Sequence, residues 1–415
     1  MTNTHVFETK FSKRMQATFY NIPTFRALAN FEERANLTNG QSVTRPRKSL
    51  MVASDYTRGT DSTAQTLEDV AETLSVTSAK ISTFSIDDFD AIQSNYKLQN
   101  EYADDAAKTV ADIMDADFYN QYQYATSTVT AEDFGGSSAL GVTLSTSNVL
   151  SVLFKSTQKL RQQNVDITGK FNMNDKLVGM GFAGVSPQFL NALEEYDAGR
   201  ETVGGDTTFS NGYVRTKAGL DIYATNNLSW SGILGLATTP TDGDTIVIDG
   251  VTFTFKTTLG STAGNVLIGG SADVARANLV GLINAPSTTD SNGVAVSSTR
   301  ANNYTLSDAE KISRITATND NTANTASLIA KGVSYITVSE TLTDTTDAWT
   351  SLIQHNLIGR KKAVDMVIQK DLNVKVSDIP LQLGVYVKPN ALYGIKTFNE
   401  GARQLVDVQI NTSAW

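Results

Sequence analysis

The sequence has 415 residues, a formal net charge of −9 and no cysteine. A chain of this length predicts two or three domains; its acidity argues against a dedicated nucleic-acid reader, and without thiols there are no disulfides, zinc–thiolate sites or cysteine nucleophiles. No run approaches the roughly 18 apolar residues of a membrane span, and the polar start is not typical of a signal peptide, so we expect no membrane partner.

Residues 1–40 predict an extended basic arm. The first 48 residues carry eight basic and three acidic side chains. This charge, opposite to that of the remaining chain, favours docking onto acidic copies of the same protein, or loose contact with phosphates. The alternative is an arm that frays in solvent. The basic candidates for contacts between subunits are Lys10, Lys13, Arg14, Arg26, Arg34, Arg45, Arg47 and Lys48.

Residues 41–86 predict two strands joined by a long polar excursion. Pro46 is tolerated only on an edge strand, and residues 70–86 have the β-branched, alternating pattern of a returning strand. A two-stranded ribbon of this length is not stable alone. We therefore expect it to lie on a neighbouring surface, which can belong to another subunit, with Arg58 of the excursion as a further candidate contact.

Residues 86–126 predict a long α-helix, with Ser85 and Asp88 placed to cap its first turn. No Gly or Pro interrupts it, and its length would be roughly 60 Å at about 1.5 Å per residue. A coiled-coil arm is the alternative, but the stripe is rich in alanine rather than leucine. The predicted buried stripe is Phe89, Ile92, Tyr96, Ala103, Ala106, Val110 and Ile113. The predicted solvated or subunit-facing side carries Asp104, Asp105, Lys108, Asp112 and Asp115, of which Asp104, Asp105 and Asp112 are candidate contacts.

Residues 136–237 alternate helices with strands and predict a compact α+β domain. Ser145 or Ser147 is placed to cap a helix that runs to about Gln163. A buried strand is predicted at residues 176–185. Ser186 and Pro187 then start a second helix, which Gly199 ends.

Residues 238–350 are rich in Thr, Asn and Asp and predict a self-contained β-rich module whose entry and exit points lie close together. Asp249–Gly250 is a strong hairpin signal. One helix is expected at residues 271–284 and later strands at 312–316 and 333–338. Apolar alternation returns in residues 351–415.

Catalytic and cofactor motifs are weak throughout. A Ser-His-Asp triad would depend on His5 or His355, each of which we interpret as an incidental polar residue. The GxGxxG pattern of Gly179, Gly181 and Gly184 favours close backbone packing over a dinucleotide site, because no βαβ unit surrounds it. Ile246 stands where a calcium loop beginning at Asp242 needs an oxygen ligand. We expect no catalytic residue, cofactor or metal.

The order of these parts resembles the Hong Kong 97-like major capsid proteins of tailed bacteriophages, over residues 1–236 and 352–415. The segments that carry the resemblance are SIDDFDAIQSN (85–95), AAKTVADIMD (106–115), KLVGMGFAGVSPQFLNAL (176–193), HNLIGRKKAVDMVIQ (355–369) and ALYGIKTF (391–398).

The resemblance implies an α+β fold with an N-terminal arm (1–40), an extended loop with peripheral strands (41–86), a spine helix of the peripheral domain (87–135), an axial domain (136–237) and return strands of both domains (351–415). It also implies an inserted β-rich, possibly Ig-like, domain (238–350), which we expect on the outer surface; deleting it should leave shell formation possible. Covalent Lys–Asn cross-links at Lys48 are not expected, because no catalytic Glu or Asn partner can be matched.

The resemblance further implies a subunit that assembles with copies of itself into hexamers and pentamers around packaged double-stranded DNA. A separate scaffolding protein and a portal would be its partners, and the virion shell, assembled in the host cytoplasm, its location. A tail-tube or baseplate protein is the alternative within a virion; a solitary enzyme or binding module is the alternative outside it.

Overall fold

The computed structural model describes residues 22–34, 40–47, 51–53, 55–59, 69–88, 98–137, 141–165, 181–199, 216–259, 264–284, 311–333, 335–379 and 383–412, with isolated positions 37, 61, 64, 66 and 167. These residues form two compact units. The described parts of 31–114 and 365–396 belong to unit one, and those of 24–30, 115–364 and 397–412 to unit two.

The described elements are six helices and nineteen strands, apart from 3₁₀ turns. The helices are α1 (Phe25–Leu28), α2 (Leu98–Tyr119), α3 (Val149–Gln162), α4 (Pro187–Ala198), α5 (Ala272–Asn284) and α6 (Asn399–Ala402). The strands are β1 (Ser42–Arg47), β2 (Val70–Ser75), β3 (Ser78–Ile81), β4 (Phe84–Ile86), β5 (Ser127–Val129), β6 (Gly181–Val185), β7 (Thr216–Lys217), β8 (Leu220–Ala224), β9 (Ser229–Gly235), β10 (Thr245–Ile248), β11 (Val251–Lys256), β12 (Asn265–Leu267), β13 (Ile315–Asp320), β14 (Thr325–Lys331), β15 (Val338–Thr341), β16 (Trp349–Arg360), β17 (Asp365–Asp378), β18 (Val385–Lys396) and β19 (Leu405–Asn411).

Unit one is built from antiparallel strands. β1 and β2 form a two-stranded sheet from Ser42↔Ser75 to Arg47↔Val70. In a second sheet the long strand β18 pairs with β17 on one side and with β3 and β4 on the other. The first sheet is the ribbon that the sequence predicts, and Pro46 lies on β1, which in the described residues has a strand partner on one side only.

Helix α2 confirms a helix in this stretch and corrects its extent and its faces. The described helix ends at Tyr119, where a 3₁₀ turn follows over Asn120–Tyr124, so the predicted continuation to residue 126 is wrong. Its buried stripe is Val110, Met114 and Phe118, whereas Ile113 is 37% exposed. The predicted stripe residues Phe89, Ile92 and Tyr96 lie outside the described residues.

The centre of unit two is a nine-stranded sheet in the order β13-β14-β9-β16-β6-β8-β7, with β19 beside β16 and β5 beside β19. Helices α3 and α4 supply Val152, Leu153, Phe189 and Leu193 to a core that also contains strand residues such as Val408. This core buries the apolar stripe of each helix against the sheet, the α+β packing that the alternation of elements predicts.

Two helix starts in unit two separate a correct prediction from a wrong one. The backbone N–H of Phe189 donates to Ser186 Oγ at 3.2 Å and Pro187 is the first helical residue, which confirms the start of α4. Helix α3 instead starts after Asn148, which caps it without a side-chain bond. Asn148 Oδ1 accepts from the backbone N–H of Ser145 at 2.9 Å, so neither predicted serine occupies the cap position.

The Asp249–Gly250 turn is confirmed. Ile248 pairs with Val251 across it, and Asp249 and Gly250 have φ of 51° and 78°, the two positive values that a type I′ turn requires. The two later strands, predicted at 312–316 and 333–338, lie further along the chain: β13 covers Ile315–Asp320 and β15 covers Val338–Thr341.

Residues 238–350 are not self-contained in the described structure, which corrects that expectation. Strand β14 pairs along the whole of β9, from Thr325↔Gly235 to Lys331↔Ser229, and extends the sheet that contains β16. Trp230, Leu234 and Leu236 share one core with residues of β10, β11 and α5. The physical reason is that β9 would otherwise expose both an unpaired edge and this apolar face. The predicted domain boundaries themselves stay predictions.

Candidate assembly interface

The connection between β1 and β2 exposes large apolar side chains. Met51, Val52 and Tyr56 are 71%, 72% and 74% exposed, and the described residues from 51 to 59 around them are exposed throughout. We call these three side chains the ribbon patch. Removing apolar side chains from water lowers the free energy of the system. The exposure of the ribbon patch therefore indicates that a partner surface covers it.

Two of the predicted basic contacts on the ribbon have ion-pair partners in their own chain. Arg45 lies 2.8 Å from Glu33 and 3.3 Å from Asp365, and Arg47 lies 3.8 Å from Glu72. The Arg45 pairs tie the ribbon to its own unit, and the Arg47 pair joins its two strands, roles that the sequence did not predict.

The remaining predicted contacts are scattered. Arg34, Arg58 and Asp104 are exposed. Arg26 is also exposed, and its guanidinium lies 5.7 Å from the Phe25 ring centroid. The predicted contact Asp105 pairs with Lys108 of its own helix at 3.4 Å, and Asp112 is partly buried. The remaining four predicted contacts lie outside the described residues: Lys10, Lys13, Arg14 and Lys48.

Asp115 anchors the start of α1. It is fully buried, so the expectation that it faces solvent or a subunit is wrong. Asp115 Oδ1 accepts from the backbone N–H groups of Thr24 at 2.8 Å and Phe25 at 2.9 Å, and Oδ2 accepts from Asn227 Nδ2 at 3.1 Å. Burial raises the pKa of the Asp115 carboxyl above its ordinary value, while these hydrogen bonds lower it. The Thr24 hydroxyl also lies 2.6 Å from Tyr119 Oη.

His355 lies at the centre of a hydrogen-bonded array, so its interpretation as incidental is wrong. His355 Nδ1 lies 2.9 Å from Asp407 Oδ2 and Nε2 lies 2.8 Å from Ser231 Oγ, while the ring stacks on Tyr122 with centroids 3.9 Å apart. Ser231, His355 and Asp407 stand on β9, β16 and β19, so the array crosses three adjacent strands.

These distances match those of a Ser-His-Asp triad, but the array lies within the sheet. Ser231 lies in ladders on both sides, opposite Ile329 of β14 and Ile353 of β16. The array therefore acts as a polar brace between strands. No local pattern could have found it, because Ser231 is 124 residues from His355.

The described glycines of the GxGxxG pattern serve close packing. A Cβ on Gly184 would meet the Tyr119 ring, and one on Gly181 would meet Leu220. Gly179 lies outside the described residues. Among the residues that the structure describes, no group of three or more His, Asp or Glu side chains could hold a metal ion, and no helix is long and apolar enough to cross a membrane.

The protein was compared with known families, curated proteins and solved structures. No family model and no curated protein matches the sequence. A structure of Mycobacterium phage Che8 matches with a TM-score of 0.56 at 12% identity, covering 97% of this chain and 96% of that one. The capsid structure of the Cyanophage P-SCSP1u matches with a TM-score of 0.52 at 13% identity, covering 97% and 93%. The chain therefore has the fold of a bacteriophage capsid protein.

Proposed function

We propose that this protein is the major capsid protein of a tailed bacteriophage, a subunit of the icosahedral shell around packaged double-stranded DNA. The observation that supports this most strongly is the match of nearly the whole chain to nearly the whole of a capsid chain. A tail-tube or baseplate role is the weaker candidate, because the match includes both units rather than a single β module.

In this proposal the subunit is completed by its neighbours. The two-stranded ribbon and the ribbon patch acquire their buried area from adjacent copies in hexamers and pentamers, so that assembly and stability are coupled. Exposed Arg34 and Arg58 would approach acidic surfaces such as the Asp104 side of α2 in a neighbouring copy. We retain the Hong Kong 97-like assignment of the loop, spine helix and axial domain as part of this proposal.

The role is structural rather than enzymatic, and its partners follow from shell building. Copies of the protein are the first partner; a separate scaffolding protein, a portal and non-specifically contacted DNA are the others. The net charge of −9 supports weak contact with DNA, because an acidic lining repels phosphates and leaves the genome mobile. The location that follows is the virion shell, assembled in the host cytoplasm.

Electron microscopy of the purified protein, with and without a co-expressed scaffolding protein, tests the proposal. We expect closed shells of megadalton size or smaller ring-shaped capsomers. The variant Met51→Ser/Val52→Ser/Tyr56→Ser should shift the population to small species while the circular dichroism spectrum is unchanged. Tyr124→Ser is the matched control, since Tyr124 is 58% exposed but lies in another unit. Monodisperse monomers of the parent protein, or tubes, would contradict the proposal.

A further inference from the structure

Among the described strands, the outer edge of β13 is a template for strand pairing. Within the described residues β13 pairs with β14 on one side only. Its segment Ile315–Asn319 contains no charge and no proline and has β-branched residues at three of five positions, a composition that favours strand addition. In an antiparallel ladder the backbone groups of alternate residues point away from the partner strand, so the outward set that contains Ala317 also contains Ile315 and Asn319.

One side chain occupies the middle of this edge. The backbone N–H of Ala317 donates to Asn284 Oδ1 at 2.8 Å, and Asn284 Nδ2 donates to the carbonyl oxygen of Ala317 at 2.7 Å. The amide thus makes the two bonds that a residue of an added strand would make. Asn284 is the last residue of α5 and is exposed, so burial does not explain its position.

The helix that carries Asn284 is held firmly against the same edge. Leu282 and Ile283 are buried in the core. Earlier in α5 the fully buried Arg276 donates from Nε to Asn319 Oδ1 at 2.7 Å and from Nη1 to the carbonyl oxygen of Leu236 at 2.5 Å. Asn284 is therefore delivered to Ala317 by a rigid element rather than by a free side chain.

We propose that Asn284 is an edge guard, whose amide keeps β13 of one copy from pairing with β13 of a second copy. The partner is a second copy because the edge is uncharged and nearly self-complementary: antiparallel pairing about Ala317 would place Thr316 of one copy opposite Thr318 of the other. Such pairing requires only two copies. A role for the guard within shells rests on the proposed function, since many copies held together raise the effective concentration of each edge.

Disulfide trapping tests the guard, because the natural sequence has no cysteine. Thr316 and Thr318 are exposed, so Thr316→Cys and Thr318→Cys proteins can be mixed in equal amounts and oxidised at low concentration. With Asn284 present we expect little cross-linking. With Asn284→Ala in both proteins we expect cross-linked dimers to increase about tenfold or more, the effect of two competing hydrogen bonds of ordinary strength.

Two further variants make the outcome decisive. Asn284→Asp keeps the acceptor for the Ala317 N–H but cannot donate to its carbonyl, so it should cross-link to an intermediate extent. Asn284→Ala with Thr318→Lys should remain as soluble as the parent, because a charge on the edge opposes pairing. Equal cross-linking with and without Asn284 would overturn the guard. So would an insoluble Asn284→Ala protein that the lysine does not rescue, since that result indicates misfolding rather than edge pairing.

Discussion

Asp115 shows how one buried carboxylate can hold the start of a short helix. It accepts hydrogen bonds from Thr24, Phe25 and Asn227, residues 91, 90 and 112 positions away along the chain. The sequence indicated a helix here, but an aspartate among other aspartates looked like part of the solvated side. Only the return of Thr24 and Asn227 to the helix distinguishes Asp115 from Asp112.

Replacing Asp115 should expose both its structural and its titration role. We expect Asp115→Ala to lower the free energy of unfolding by about 3 kcal/mol, because four donors, two of them on Thr24, lose their acceptor. Because burial raises the pKa of Asp115 above 3.8, the folded state binds its proton more tightly than the unfolded state. The part of the stability that depends on protonation of Asp115 is therefore fully present below pH 3.8 and is lost as the pH rises through the raised pKa.

Denaturant unfolding of the parent protein and of Asp115→Asn, from below pH 3.8 upward, measures the stability that depends on protonation of Asp115. The difference in unfolding free energy between the two proteins should change with pH in the stated direction, with Asp112→Asn as the control. A difference that stays constant with pH would contradict the assignment.

The His355 array predicts a graded response to truncation. His355→Ala removes one of the two hydrogen-bond partners of buried Asp407 Oδ2, leaving Gln409 Nε2, and it also removes the stacking on Tyr122, so we expect a loss of about 2–3 kcal/mol. Ser231→Ala removes one hydroxyl at a partly buried position and should cost about 1 kcal/mol or less. Denaturant unfolding checks both values. Equal losses for the two variants would show that the array does not act as a brace centred on His355.

At the scale of elements, local chemistry decides where the chain turns. Asp249 and Gly250 form the predicted hairpin because both positions need positive φ, which Asp tolerates and Gly adopts freely. Ser186 and Pro187 start α4 for an equally local reason. The start of α3 was missed because Ser145, Ser147 and Asn148 are all good caps, and the choice among them depends on the packing of Val149 and Val152.

A substitution at the hairpin separates backbone conformation from packing. Gly250→Ala should lower the midpoint of thermal unfolding, with a cost of about 1 kcal/mol, because φ there is +78°. Gly270→Ala is the matched control, since a Cβ there meets nothing within 4 Å and its φ lies outside the positive region. If both variants unfold at the same temperature, the turn is not under the constraint inferred from its φ values.

At the scale of the whole molecule, the stretch from 238 to 350 determines how unit two is completed. Its strand β14 covers the edge of β9, and its core includes Trp230 and Leu234 of β9. Two buried carboxylates join the entering and leaving chains: Asp347 accepts from the N–H of Thr238 at 3.1 Å, and Asp244 accepts from the N–H of Thr343 at 3.2 Å. This stretch is an integral part of the fold of unit two.

Deleting residues 238–350 should therefore give insoluble protein, contrary to the expectation that shells would still form. In the intact protein Trp230, Leu234 and Leu236 are fully buried, and the deletion would remove the core residues that cover them. The soluble fraction after expression measures the outcome. A second deletion that also carries Trp230→Ser, Leu234→Ser and Leu236→Ser should recover part of the solubility if the exposed core is the cause. Soluble, shell-forming deletion protein would restore the picture of an independent module.

The sequence by itself determined the local features of this protein: the extended character of β1 and β2, the helix through Val110, the capped start of α4, the Asp249–Gly250 turn and a resemblance in the order of parts that matches its capsid fold. These depend on neighbouring residues, whose periodicity and turn chemistry are visible along the chain. Only the tertiary structure decided that β14 belongs beside β9, that Asp115 is an anchor and that His355 braces three strands. Each of these depends on residues tens to more than a hundred positions apart, and residue type alone does not specify which of many similar polar side chains or strands will meet.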